Sequence, residues 1–226
     1  EALVLRATCH LKIMSYFSPD PKDNNALAGV LANRIIATSE FPRRATNGQF
    51  YASIHADLDA AIAIFNANTA PAYTNKTAYA SKALAQALKA RAYALKGDYP
   101  NALTNANLVI NTSGITLATT AAEYAAVFHT HNEAANKEVI FRLKRTAVQN
   151  SQASNLHNGW ASVTNRRNGS PFYEVSRALY NKLAATPGDI RLATTVFTTG
   201  TTTTSSLIDP NYTTSADVKN TDILVL

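Results

Sequence analysis

Trp160 is the only tryptophan of the chain, and it stands in a polar excursion with His157, Asn158, Asn165, Arg166 and Arg167 close by. These are the parts of a sugar site. An aromatic ring lies against the apolar face of a pyranose, while planar amide and guanidinium groups pair with its hydroxyls. The same residues allow another arrangement, a tryptophan packed under its own loop with both arginines in water. Phe41, Arg43 and Arg44 repeat the combination with fewer groups in an earlier segment. His129 and His131 flank one residue, which on a strand puts both imidazoles on one face in a metal-ligand geometry, and His157 would add a third donor. No carboxylate or cysteine accompanies them at ligand spacing, and histidine often serves as a surface or capping group, so the sequence assigns no metal and no cofactor. Asp57 and Asp59 fall in a helical segment where residues two apart point away from each other, and they read as solvated acids rather than an acid–base pair. The G-x-S-x-G elbow, the Walker loop and H-E-x-x-H are absent, which removes the strong enzyme signatures. The expectation is a protein that binds and does not catalyse.

Composition narrows the setting. With 226 residues, 46% of them hydrophobic and only 16% charged, the chain can bury a sizeable core, and one domain is the natural count. Cys9 is the single cysteine, so there is neither an intramolecular disulfide nor a thiolate cage, and a core thiol is its expected place. The net charge of +6 would suit an acidic partner. Lys and Arg are scattered, however, and cluster only at Arg43-Arg44, at 142–145 and at Arg166-Arg167; without a basic stripe no nucleic-acid partner is expected. No run of about 18 apolar residues occurs, so no membrane-spanning helix is expected. The chain begins inside an apparent helix without a signal peptide, as a processed or trimmed N-terminus would.

The elements that must position these residues are mostly helical. Residues 81–110 read as one helix-turn-helix unit of tetratricopeptide type. Leu84, Leu88, Ala92 and Leu95 fall at helical spacing, Gly97 can close the first helix in the left-handed conformation, and Asp98 can cap the second with Pro100 in its first turn. Ala102 and Ala106 allow close approach, Val109 and Ile110 extend the apolar stripe, and 111–114 stop it. Residues 1–17 form a helix with Leu3, Ala7, Leu11 and Met14 inward and Arg6, His10 and Lys12 largely off the stripe. Within 18–44, residues 26–36 are either a helix or a packed loop. Thr46 then caps a helix over 49–65 with Phe50, Ile54, Leu58, Ala61, Ile62 and Phe65 on one face. A short helix is expected over 121–128, a half-buried strand over 138–145, a helix over 172–183, and a Thr-rich loop or hairpin over 191–208. Asn220 to Asp222 followed by Ile223 and Leu224 reads as the start of one more helix. The fold expected is mostly α, a tetratricopeptide-like repeat scaffold with long loops and a short β element.

In order and spacing, LRATCHLKIMSYF at 5–17, YASIHADLDAAIAIF at 51–65, ALKARAYALKGDYPNAL at 87–103, KEVIFRL at 137–143 and GDIRL at 188–192 resemble the SusD/RagB family of outer-membrane nutrient-binding lipoproteins of Bacteroidetes. The resemblance implies a single domain over 1–226, made of a first helix pair with a loop insertion (1–66), the central unit (77–114) and a strand, long loops and a helix (137–226). It also implies that the C-terminal part completing the fourth repeat is missing. It implies a surface-exposed protein that captures a glycan or related nutrient and delivers it to a SusC-like TonB-dependent transporter, held at the outer membrane by an N-terminal lipid anchor whose cysteine is not in this chain. It places the ligand site on loops, including the one after the E-V-I-F strand. The alternative is a tetratricopeptide-type adaptor that grips a protein on its concave helical face.

Overall fold

A computed structural model of the 226-residue chain describes residues 1–68, 77–129, 137–143, 177–191 and 223–225. Their backbone groups into two compact units, Glu1–Ile115 and Thr116–Leu226.

Among the described residues the first unit has four helices, α1 (Ala2–Phe17), α2 (Asn47–Ala67), α3 (Lys82–Lys96) and α4 (Tyr99–Thr112), each packed on the next, with α1 also touching α3. Each start has a chemical cause. Thr46 and Gln49 form a reciprocal capping box at α2, the Gln49 amide donating to Thr46 Oγ1 and the Thr46 amide to Gln49 Oε1. Ser81 Oγ accepts the Leu84 amide at the head of α3, and Asp98 accepts the Asn101 amide at α4. Between the last two helices Gly97 takes φ 85°, the left-handed value that a side chain would oppose, so the turn of the central unit closes as its sequence expects. The core runs through Val4, Ala7, Leu11 and Met14 of α1, Phe50, Ile54, Leu58 and Ala61 of α2, Leu84, Leu88 and Ala92 of α3, and Val109 of α4. Residues 26–36 contain no helix and pack as a loop.

Four side chains depart from the sequence expectation. His10 is buried rather than off the stripe, because Phe50 and the loop close over that side of α1. Asp57 is buried rather than solvated, since Arg6 of α1 reaches it. Cys9 is exposed rather than a core thiol, and Ile110 is 69% exposed although Val109 beside it is buried. One residue is 100° of helix turn, enough to leave a face.

In the second unit α5 (Ala121–His129) begins where Thr120 Oγ1 accepts the Glu123 amide. Strand β1 (Phe141–Leu143) pairs antiparallel with β2 (Ile223–Val225), Arg142 opposite Leu224, and α6 (Arg177–Ala184) lies between them in sequence. The C-terminal turn expected as a helix is therefore a strand. Ile223 and Val225 are β-branched, and β1 supplies the ladder that a local reading does not see. His129 ends α5 rather than lying on a strand, and His131 and His157 lie outside the described residues. Arg142, on the face expected to be polar, is buried with Val139 and Ile140. Of the helix expected over 172–183, residues 177–183 are helical, and 172–176, like the Thr-rich run from 192 onward, lie outside the described residues. Asp189 accepts from the Arg191 backbone and guanidinium just after Gly188, at φ 79°.

Candidate functional site

The loop between α1 and α2 carries the one part of the sequence-predicted site that falls among the described residues. Its base is fastened to the helices. Asn47, wholly buried, donates its side-chain amide to the Asp20 and Asp23 carbonyls at 2.8 and 2.7 Å, and Tyr51 donates its hydroxyl to the Pro21 carbonyl at 3.0 Å. Further out, the Ala28 amide donates to the Ala45 carbonyl and the Ala45 amide to the Gly29 carbonyl, and Leu27 bridges Thr46, so the two limbs run together as a short ladder. Gly29 is required there, because a Cβ would stand 2.5 Å from Ile13 Cγ2. Arg44 clamps the limbs, Nε donating to the Ala28 carbonyl and Nη2 to those of Leu27 and Phe17.

The tip is held by a second arginine. Arg34 and Glu40 pair in a two-pronged ion pair, and Glu40 Oε1 also accepts the Ala37 amide. The Arg34 guanidinium, with that amide behind it, holds the Glu40 carboxyl down at about 2. From this braced turn Ile35 and Phe41 project almost wholly into solvent, 94% and 93% exposed, with exposed Arg43 two residues beyond Phe41. Of the three residues singled out in this segment, Phe41 and Arg43 are thus presented outward. Arg44 is turned to backbone carbonyls and acts as a fastener. Trp160, His157, Asn158, Asn165, Arg166 and Arg167 lie outside the described residues. Sequence reading missed Arg34 and Glu40, whose loop spacing carries no periodic signal.

An exposed phenyl ring two residues from an exposed guanidinium offers groups that can stack on the apolar face of a sugar and pair with its hydroxyls. Nothing in the tip offers a nucleophile poised on a base. Among the described residues there is no group of three His, Cys, Asp or Glu able to hold a metal, and no helix long and apolar enough to cross a membrane.

Two histidines, His10 buried and His55 half-buried, mark the seams between helices. His10 meets the Phe50 ring edge-on at 5.7 Å, and His55 stacks on Tyr93 at 4.2 Å, with the Tyr51 ring also near-parallel to it at 6.3 Å. Neither ring nitrogen of His55 has a hydrogen-bond partner. Burial lowers both imidazole pKa values. Lys89 and Lys96 from α3 press that of His55 down further, while Asp59 of α2 and Asp98 at the head of α4 oppose them; around His10 the Ala32 backbone and Asp57 oppose burial and Arg6 adds to it. A histidine with a depressed folded-state pKa binds fewer protons folded than unfolded. Its contribution is therefore complete above the unfolded value of about 6.5 and is lost as pH falls below it. The melting temperature is expected to fall between pH 7.5 and 5, and a His10→Gln/His55→Phe variant to show a flatter profile. Parallel profiles in thermal melts across that range would refute the assignment.

A mostly helical scaffold with a central tetratricopeptide-like unit and a braced, outward-facing loop defines the class, and comparison with solved structures gives it a fold name. No protein-family model and no curated protein matches the sequence. A SusD superfamily protein from Bacteroides thetaiotaomicron matches with TM-score 0.68 and 20% identity over 99% of this chain and 46% of its own. A SusD superfamily protein from Bacteroides vulgatus matches with TM-score 0.67 and 22% identity over 89% and 44%. A SusD-like carbohydrate binding protein from Bacteroides vulgatus matches with TM-score 0.73 and 18% identity over 100% and 47%. The chain has the SusD-superfamily fold and spans about half the length of these structures.

Proposed function

We propose that the chain is a non-catalytic glycan-binding protein of the outer-membrane surface that passes its ligand to a SusC-like TonB-dependent transporter. The observation that carries this reading is the braced loop tip presenting Phe41 and Arg43 on a scaffold whose fold is shared with a carbohydrate-binding protein. The sequence adds a second aromatic-and-polar set at Trp160, His157, Asn158, Asn165, Arg166 and Arg167. An N-terminal lipid anchor outside this chain would hold the protein to the membrane, as the SusD/RagB resemblance implies.

Affinity electrophoresis through gels carrying different polysaccharides tests it. Retardation by at least one glycan is expected, and Phe41→Ala and Trp160→Ala should each weaken it by about 3- to 10-fold, the value of one stacked aromatic. Phe41→Ala should leave the melting temperature nearly unchanged, because an exposed position is usually within about 0.5 kcal/mol. A loss of about 3–5 kcal/mol on Trp160→Ala would mean that this ring packs its own loop instead of binding sugar. Absence of glycan retardation together with capture of peptides by the helical face would favour the tetratricopeptide-type adaptor.

A further inference from the structure

We infer that the loop tip takes an anionic glycan, with the apolar face of one pyranose on Phe41 and an oxyanion of the sugar, carboxylate or sulfate, on Arg43. The inference rests on the glycan-binding reading above and narrows its ligand class. It is carried by the charges of the outer loop. Residues 33–44 hold three arginines and a single acid, Glu40. Arg34 forks onto both oxygens of that acid, and the Ala37 amide adds a third bond. With its carboxyl held at about 2 by those donors, Glu40 stays charged and paired through the neutral range. Arg44 is directed to the carbonyls of Ala28, Leu27 and Phe17. Arg43 is exposed and makes no hydrogen bond or ion pair among the described residues. The tip therefore presents one uncompensated cation and no free carboxylate.

That combination selects among sugars. A guanidinium donates and never accepts, whereas a sugar hydroxyl does both, so a neutral pyranose also needs acceptors, and the only carboxylate at hand is occupied. A carboxylate or sulfate only accepts. On a guanidinium it takes two parallel charge-assisted bonds, each roughly twice as strong as a neutral one. The backbone between ring and cation is stiff as well. Pro42 fixes its own φ near about −65° and keeps Phe41 out of helical backbone, and the limb then enters the ladder at Ala45 and Thr46. In extended chain residues two apart share a side, the arrangement under which Arg44 turns in to its carbonyls while Phe41 and Arg43 turn out. The whole chain, at +6, draws the same kind of ligand.

Isothermal titration of the purified 226-residue chain at about 0.15 M salt tests this with matched probes. Polygalacturonate, alginate and dextran sulfate are each set against a neutral counterpart: methyl-esterified polygalacturonate, propylene-glycol-esterified alginate and dextran. At least one charged probe is expected to bind about 5- to 10-fold more tightly than its counterpart, and Arg43→Gln to erase that margin with the melting temperature unchanged. Tight binding of the uronates alone identifies the oxyanion as a carboxylate, and of dextran sulfate alone as a sulfate ester. Lys82→Gln removes the same charge at an exposed position of α3 and should bind like the parent. Equal binding within every pair overturns the inference and leaves the glycan reading standing. So does a margin that survives Arg43→Gln, or one that falls as far in Lys82→Gln, which denotes general attraction of a basic chain to polyanions. Failure to bind any probe also overturns it, and the glycan reading falls with it only if neutral polysaccharide gels do not retard the protein either.

Discussion

Phe50→Ala is expected to lower the unfolding free energy of the first unit by about 3–5 kcal/mol and its melting temperature by on the order of 10–20 °C. The ring is wholly buried at the point where three parts of the chain converge. It meets His10 of α1 edge-on, and its Cζ is 3.9 Å from the place a Cβ would take on Gly29 in the loop. Truncation there leaves a cavity with two walls that cannot collapse together. The α1–α2 seam is held by Arg6 and Asp57, and the loop limb is pinned by Arg44 and the Ala28–Ala45 ladder. The same change should therefore loosen the limbs that carry Phe41. Glycan retardation should weaken in Phe50→Ala at temperatures where circular dichroism still reports the folded state. Phe65→Ala, at a half-buried position near the end of α2, should cost far less. Calorimetry on the two variants decides it, and a loss under about 1 kcal/mol for Phe50→Ala would mean that the loop packs independently of the helices.

The helical scaffold was legible in the sequence because its signals are local. Thr46, Ser81 and Asp98 cap, Gly97 turns left-handed, and Leu84, Leu88 and Ala92 repeat at helical spacing, so each element announces itself within one or two turns. The errors share one cause, a partner far along the chain. In sequence the neighbour of Asp57 is Asp59, and nothing within a helical turn of it points to Arg6, 51 residues earlier. His10 lies off the stripe in sequence, and the loop that buries it folds back from a later segment. The strand at 223–225 looks locally like a helix start, because its ladder partner lies at 141–143. The site was legible in residue type but not in posture. Phe41, Arg43 and Arg44 look equivalent in sequence and all three are exposed, yet Arg44 is spent on the carbonyls of Phe17, Leu27 and Ala28. Only the fold separates a solvent-facing guanidinium from a fastening one.

Asp57→Ala should be the most damaging of the polar substitutions, and a double variant should reverse it. Arg6 donates Nε to Asp57 Oδ2 at 2.8 Å and Nη2 to Oδ1 at 2.5 Å, a fork that ties α1 to α2. The carboxylate is nearly closed off, its side chain 8% exposed, while that of Arg6 is 39% exposed. A fully buried ion pair costs about 3–5 kcal/mol when one partner is removed, because the other charge is left without compensation in a medium of low polarity. Here the orphaned guanidinium can reach water in part, which discounts the loss to about 2–3 kcal/mol for Asp57→Ala. The argument turns on that orphaned charge, so replacing both partners should remove it. Arg6→Met/Asp57→Leu fills the seam with apolar atoms and is expected within about 1 kcal/mol of the parent, giving a coupling energy of about 1–3 kcal/mol in the cycle. Denaturant melts of the parent, the two single variants and the double variant measure it. If Asp57→Ala costs less than about 0.5 kcal/mol, the pair behaves as an ordinary surface contact and the α1–α2 seam rests on Phe50 and its apolar neighbours alone.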